Sequence, residues 1–166
     1  MWQGYLNAEG YILRTAIFFQ ALTQPVELPA GFTLNQPSTD EYLVWYIKLA
    51  DEQGYAASDW FQPSLPLREN FIKVYRPYWL MRYGEQVGWV YCAHLGDFSR
   101  LFEVEIMPQF QHQGMGRLLM QVVIAEGYRQ GTMHILLQTG ERLRSFYEKC
   151  GFQECTRNSI IRLKQS

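Results

Sequence analysis

The sequence predicts a single mixed α/β domain whose sheet is mostly antiparallel, with one parallel crossover and about four flanking helices. Three observations carry this expectation. The 166 residues suffice for one core of ordinary size and hardly for two. Residues 78–107 hold three strand-like runs separated by the tight turns Gly84-Glu85 and Gly96-Asp97, which is how antiparallel strands are joined locally. After Pro108 the period changes to a helix and then a short returning strand, and a strand, helix and strand in that order pair in parallel.

The elements follow in chain order. Residues 11–19 read as a strand on β-branched and aromatic content, and the prolines and glycine of residues 23–31 interrupt it. Residues 1–28 are therefore taken as a strand-forming extension packed on the same domain, 1–166. A short strand over 32–34 precedes Ser38-Thr39-Asp40-Glu41, a capping box in which Ser38 accepts a backbone amide and Glu41 reaches back. The helix it opens runs to about Gln53 and stops at Gly54. A second helix is expected from near Leu67, past Pro63 and Pro66, to before Pro77. Strands over 78–83, 86–94 and 100–107 form the meander. From Gly116 to about Tyr128 the residues Leu118, Leu119, Val122, Val123 and Ala125 recur at helical spacing, closed by Gly127 and Gly131. A strand over 134–138, a short helix over 141–149 and a closing pair of strands from Phe152 complete the chain.

Composition narrows the function classes. Lys+Arg number 15 against Asp+Glu 16, with no run of like charge, so a nucleic-acid partner is not expected. No stretch has the roughly 18 to 20 consecutive apolar residues of a membrane span. The first ten residues carry no basic side chain and the apolar run 16–19 is too short for a secretory signal, which makes the cytoplasm the expected compartment. Cys92, Cys150 and Cys155 lack the spacing of a zinc site or a disulfide framework, so no metal is expected.

The chemistry concentrates in Val104-Glu105-Ile106-Met107-Pro108-Gln109-Phe110-Gln111-His112-Gln113-Gly114-Met115-Gly116-Arg117. A strand ends, a turn follows and a glycine-punctuated segment opens a helix, leaving unpaired backbone amides that suit a pyrophosphate. A Cβ at Gly114 or Gly116 would hold phosphates off those amides or block the turn. The same glycines also serve a helix that merely starts tightly. The Gly-x-Gly-x-x-Gly spacing and the Gly-Lys-Ser/Thr ending are both absent.

Gln111-His112-Gln113-Gly114-Met115-Gly116, with its preceding proline, resembles the Gln/Arg-x-x-Gly-x-Gly/Ala signature of the GNAT superfamily of acetyl-CoA-dependent N-acyltransferases. Ser145-Phe146-Tyr147-Glu148-Lys149-Cys150-Gly151-Phe152 is similar to the family's second hallmark. The resemblance implies a GNAT-like fold and an N-acetyltransferase that moves an acetyl group from acetyl-CoA to a primary amine of a small molecule or peptide in a ternary complex. It implies that the backbone of Ile106 and Met107 pairs with the pantetheine arm. Amides from Gln113, Gly114, Met115, Gly116 and Arg117 would hold the pyrophosphate, with the side chain of Gln111 beside it and His112 in the same loop. Tyr147 falls where the family places a phenol that protonates the departing thiolate; a phenol of pKa about 10 and a thiol near 8.5 can share a proton. A core aromatic at helical spacing is the other reading of Tyr147.

Glu103 and Glu105 are the candidates for the base that removes the acceptor's proton, and alternation puts them on one face opposite Phe102, Val104 and Ile106. Ion-paired surface carboxylates are the other reading, and Glu103 is preferred of the two. Gly140 stands where many relatives carry an asparagine, with Gln138 or Thr139 as substitutes, and Cys150 reads as a packed thiol. A cofactor-binding sensor that does no chemistry is the alternative to an enzyme. Aromatic residues total 26, ten of them between Tyr42 and Trp79, and they are expected to line the acceptor cleft or a homodimer contact.

Overall fold

A computed structural model describes residues 11–163. Its strands are β1 (Tyr11–Leu22), β2 (Phe32–Asn35), β3 (Arg76–Arg82), β4 (Glu85–Leu95), β5 (Phe98–Ile106), β6 (His134–Thr139) and β7 (Gln153–Leu163). The helices are α1 (Thr39–Glu52), α2 (Phe61–Val74), α3 (Met115–Arg129) and α4 (Arg144–Lys149). The strands form one seven-stranded sheet in the order β2-β3-β4-β5-β6-β1-β7. Among the described residues only β5 and β6 pair in parallel, which is the expected crossover through α3.

Local signals set several boundaries. Ser38 caps α1: the Glu41 amide donates to Ser38 Oγ at 3.3 Å and the Ser38 amide donates to Glu41 Oε2 at 2.8 Å. Gly54 ends the helix with φ +79°. Helix α2 begins at Phe61, six residues before the expected Leu67. The first four amides of a helix have no intrahelical acceptor, so Pro63 in the first turn forfeits nothing, and Pro66 gives up only one ladder bond. The expected pair of closing strands is a single strand, β7, because its partner is β1 from the other end of the chain. β1 pairs with β6 over Ile17–Leu22 and with β7 over Tyr11–Gln20, so it lies between them. Residues 1–10 of the extension lie outside the described residues.

A sheet has two faces and each must be covered. One core joins Ile17, Phe19, Leu80, Val90, Leu101, Ile135 and Leu137 to Leu119, Met120 and Val123 of α3. The other lies under α1 and α2 and is aromatic: Tyr42, Trp89 and Tyr91 with Trp45, Tyr46, Phe71, Tyr75 and Trp79. This corrects the expectation for the aromatic surplus. Tyr42 and Phe61 are fully buried and Tyr78 belongs to the first core, so packing accounts for most of the ten; Trp60, 56% exposed, is the one left largely in solvent. Wide rings suit that layer because they span the gap from helix to sheet with few rotatable bonds to immobilise.

Two irregularities shape the middle of the sheet. β5 and β6 pair only over Phe98–Arg100 and His134–Leu136, and then part. Opposite, Trp89 pairs with Glu105 and Tyr91 with Phe102, so Glu103 and Val104 together face Val90 in a β-bulge, with Glu103 at φ +51°.

Candidate functional site

The split between β5 and β6 opens into two clefts. The first, about 520 Å³, lies between the end of β5, the start of α3 and α4. Gly114 starts α3 in the left-handed region, φ +81°, without a side-chain cap. The first helical bond runs from the Leu118 amide to the Gly114 carbonyl, 3.1 Å, so the amides of Met115, Gly116 and Arg117 have no acceptor within the helix. A Cβ on Gly116 would lie 3.3 Å from the Phe146 ring, which would have to give by a few tenths of an ångström to admit it. His112, Arg117 and Lys149 line this cleft and no Asp or Glu does, among the described residues. The cations of Arg117 and Lys149 and the amides without a helical acceptor, with no opposing carboxylate, suit a phosphorylated ligand.

Side chains brace the loop from behind. Gln111 donates through Nε2 to the Ile106 carbonyl at 2.9 Å, and Gln113 donates to the Gln109 carbonyl at 2.8 Å. Gln111 thus holds the loop to the strand, where the resemblance had its side chain beside the phosphates. The Met107 amide donates to Val87 of β4 at 2.9 Å, so it belongs to the ladder. By alternation the free edge of β5 in the split is offered by Val104 and Ile106, while Met107 packs on the aromatic core.

The second cleft, about 360 Å³, lies further into the split, between Arg100, Phe102 and Glu103 of β5 and Gln138 and Thr139 at the end of β6. Val104, Leu143 and Tyr147 line both clefts. Tyr147 is 6% exposed and packs against Phe146, Phe152 and Phe19 at ring separations of 5.0, 5.8 and 6.1 Å. Burial pushes its phenol up to about 12, with the nearby Cys150 adding to the shift, so it stays protonated at neutral pH. Cys150 is half-buried and its thiol is also pushed up by burial. Gly140 faces open space, and Gln138 and Thr139 line the second cleft.

The bulge rearranges the expected faces. Glu103 and Glu105 do share one face, but Phe102 joins them, its ring edge-on to Phe71 and tilted to Tyr75 at centroid separations of 5.5 and 5.7 Å. Val104 and Ile106 turn to the first core with Leu101. One inserted residue inverts the alternation, which strict two-residue periodicity cannot foresee. Glu103 lines the second cleft; Glu105 stands opposite Trp89 outside it, its carboxyl pushed up by burial and by the Glu103 charge.

Sequence reasoning passed over Arg68. Its side chain is 19% exposed and its guanidinium lies over the rings of Tyr46, Tyr91 and Phe71 at 4.5, 5.1 and 5.2 Å. It donates to the Tyr91 hydroxyl at 3.1 Å and pairs with Glu103 Oε2 at 3.5 Å. The signal was available: Phe61, Leu65, Arg68 and Ile72 fall on one helical stripe, so a cation sits where an apolar residue belongs. Among the described residues no group of His, Cys, Asp or Glu is placed to hold a metal, and no helix is long and apolar enough to cross a membrane.

A sheet split at its one parallel pair, with a glycine-capped helix beside the split, defines the acetyltransferase fold class. Residues 75–154 match the family model of the acetyltransferase (GNAT) domain. A curated relative, the [ribosomal protein bS18]-alanine N-acetyltransferase of Haemophilus influenzae, is 30% identical over 90 residues, which is 53% of this chain and 62% of the relative. A GCN5-related N-acetyltransferase from Sphaerobacter thermophilus superposes with a TM-score of 0.60 at 19% identity, over 95% of this chain and 54% of that one. A conserved protein of unknown function from Staphylococcus epidermidis gives 0.68 at 13% identity, over 96% and 65%. The chain thus spans less than two thirds of each of these relatives.

Proposed function

We propose that the protein transfers an acetyl group from acetyl-CoA to a primary amine by direct attack, with the cofactor in the first cleft and the acceptor in the second. The observation that carries this reading is that the clefts meet at one buried phenol, Tyr147. The residues present fit the cofactor: three amides at the start of α3 without a helical acceptor, Arg117 and Lys149 for the phosphates, and the edge of β5 beyond the β6 ladder, at Val104 and the Ile106 amide, for an extended amide-bearing arm, the Ile106 carbonyl being taken by Gln111. When bound, acetyl-CoA supplies the thioester carbonyl that the amine attacks.

The chain's own groups manage orientation and protons. Tyr147 hydrogen-bonds the sulfur and gives a proton to the departing thiolate. Glu103, in the acceptor cleft, takes a proton from the acceptor ammonium; Glu105 lies behind it. The acceptor is a small-molecule or peptide amine, and the alanine acetylated by the Haemophilus relative is one example of the class. Residues 1–166 are read as one domain, a reading supported by the place of β1 inside the sheet.

The test is thiol release from acetyl-CoA with a panel of primary amines, for the wild type and Tyr147→Phe. The expected result is turnover that falls about 10²-fold or more in the variant, with CoA binding retained. Binding without acetylation of any amine would demote the protein to a cofactor-binding module.

A further inference from the structure

Arg68 has no evident reason to be where it is on stability grounds. Its guanidinium is enclosed by Tyr46, Phe71 and Tyr91, and its Nε is buried with no hydrogen-bond partner among the described residues. An enclosed cation loses hydration that one ion pair at 3.5 Å does not fully replace, and an apolar side chain of similar volume would pack the layer at least as well. The charge is nonetheless held firmly. The Tyr91 hydroxyl that accepts from Arg68 is hydrogen-bonded at 2.9 Å to the hydroxyl of Tyr42, a fully buried residue of α1. Its carboxylate partner is Glu103, which the bulge holds at φ +51°, a conformation a glutamate rarely adopts and one that aims its side chain toward α2. That carboxylate also lines the second cleft.

We propose that Arg68 is a positioning residue: the Tyr42–Tyr91–Arg68 chain fixes the carboxylate of Glu103 at the mouth of the acceptor cleft so that it meets the acceptor ammonium. The proposal rests on the function proposed above. It explains why a cation is enclosed by rings of three elements and why the bulge falls at a glutamate. Arg68 touches neither ligand; it acts through Glu103, which leaves one oxygen for the acceptor while the other is held by the guanidinium.

A double-mutant cycle tests it, with Arg68→Gln, Glu103→Gln and the combined variant assayed on the best amine of the panel, kcat and both KM values being read separately. Arg68→Gln should lower kcat/KM for the amine by about ten-fold or more while leaving the KM for acetyl-CoA unchanged. Arg68→Lys should recover part of the loss. In the Glu103→Gln background the Arg68 substitution should cost almost nothing further, because its route of action is already gone. Losses that multiply, or an Arg68→Gln enzyme as active as the wild type, would overturn the proposal and leave the acetyltransferase reading intact. A wild type that acetylates no amine overturns both. Should Arg68→Gln fail to fold, Arg68→Lys carries the same cycle, with the same non-additivity expected.

Discussion

Gly88→Ala is the sharpest mutational test of how β4 supports the split. Gly88 lies directly across from Ile106, immediately before the bulge. A Cβ there would run into the Glu105 carbonyl oxygen and lie 2.8 Å from Ile106 Cδ1 and 3.2 Å from Ile106 Cα. Carbon atoms settle at about 3.5 to 4.0 Å, so β5 must move by roughly 0.5 to 1 Å, and the obstacle is backbone that cannot rotate away. Overpacking of this kind costs about 1 to 3 kcal/mol, offset by about 0.5 to 1 kcal/mol because alanine loses less entropy than glycine on folding. A net destabilisation of about 1 to 2 kcal/mol lowers Tm by roughly 2 to 8 °C in a chain of this size. The displaced segment carries Glu103 and the free edge of β5, and a misplacement near 1 Å costs about 10²-fold in rate. Thermal melts and thiol-release kinetics check both parts, with Gly140→Ala as the control, since Gly140 faces open space at φ −93°. A Gly88→Ala protein that melts within about 1 °C of the wild type and keeps its turnover would refute the reasoning.

Two further outcomes separate stability from function. Ser38→Ala removes the α1 cap and should cost about 1 kcal/mol, read as a lower urea midpoint, with acetyl transfer unchanged because the cap is remote from both clefts. Alkaline stability should decline from about pH 10 upward. Burial pushes Tyr42 and Tyr147 up to about 12, and raises Tyr78 and Tyr91 further, so above pH 10 the unfolded chain releases protons that the folded chain keeps. The unfolded state then binds fewer protons and stability falls with pH. Urea midpoints between pH 9 and 11, with tyrosinate absorbance as the titration readout, measure this; a flat profile contradicts the burial of these phenols.

The parts of the fold legible in the sequence are those set by neighbours in the chain. The Ser38–Glu41 box, the turns at Gly84 and Gly96, and the glycine-led start of α3 all formed where local chemistry places them. The parts that were not legible depend on partners far away in the chain. β7 is one strand because β1, from the opposite terminus, completes its ladder. The aromatic surplus became a core because the sheet has a second face for α1 and α2 to cover. The place of Arg68 depends on the first turn of α2, which Pro63 masks in the sequence although that turn needs no amide at this position.

The bulge at Glu103 is the most consequential of these, and it carries no glycine to announce it. Its effect follows from the period of two. Before it, Leu101 faces α3 and Phe102 faces α2; after it, Val104 and Ile106 face α3 while Glu105 faces the aromatic layer. A strand without the bulge would turn Val104 and Ile106 away from α3 and turn Glu103 away from Arg68. One extra residue therefore lets the same strand present an apolar flank to the first cleft and a carboxylate to the second, with Tyr147 lining both. On the proposed mechanism the bulge is as necessary as the glycine loop, and removing it by deleting one residue should abolish transfer even where the sheet survives.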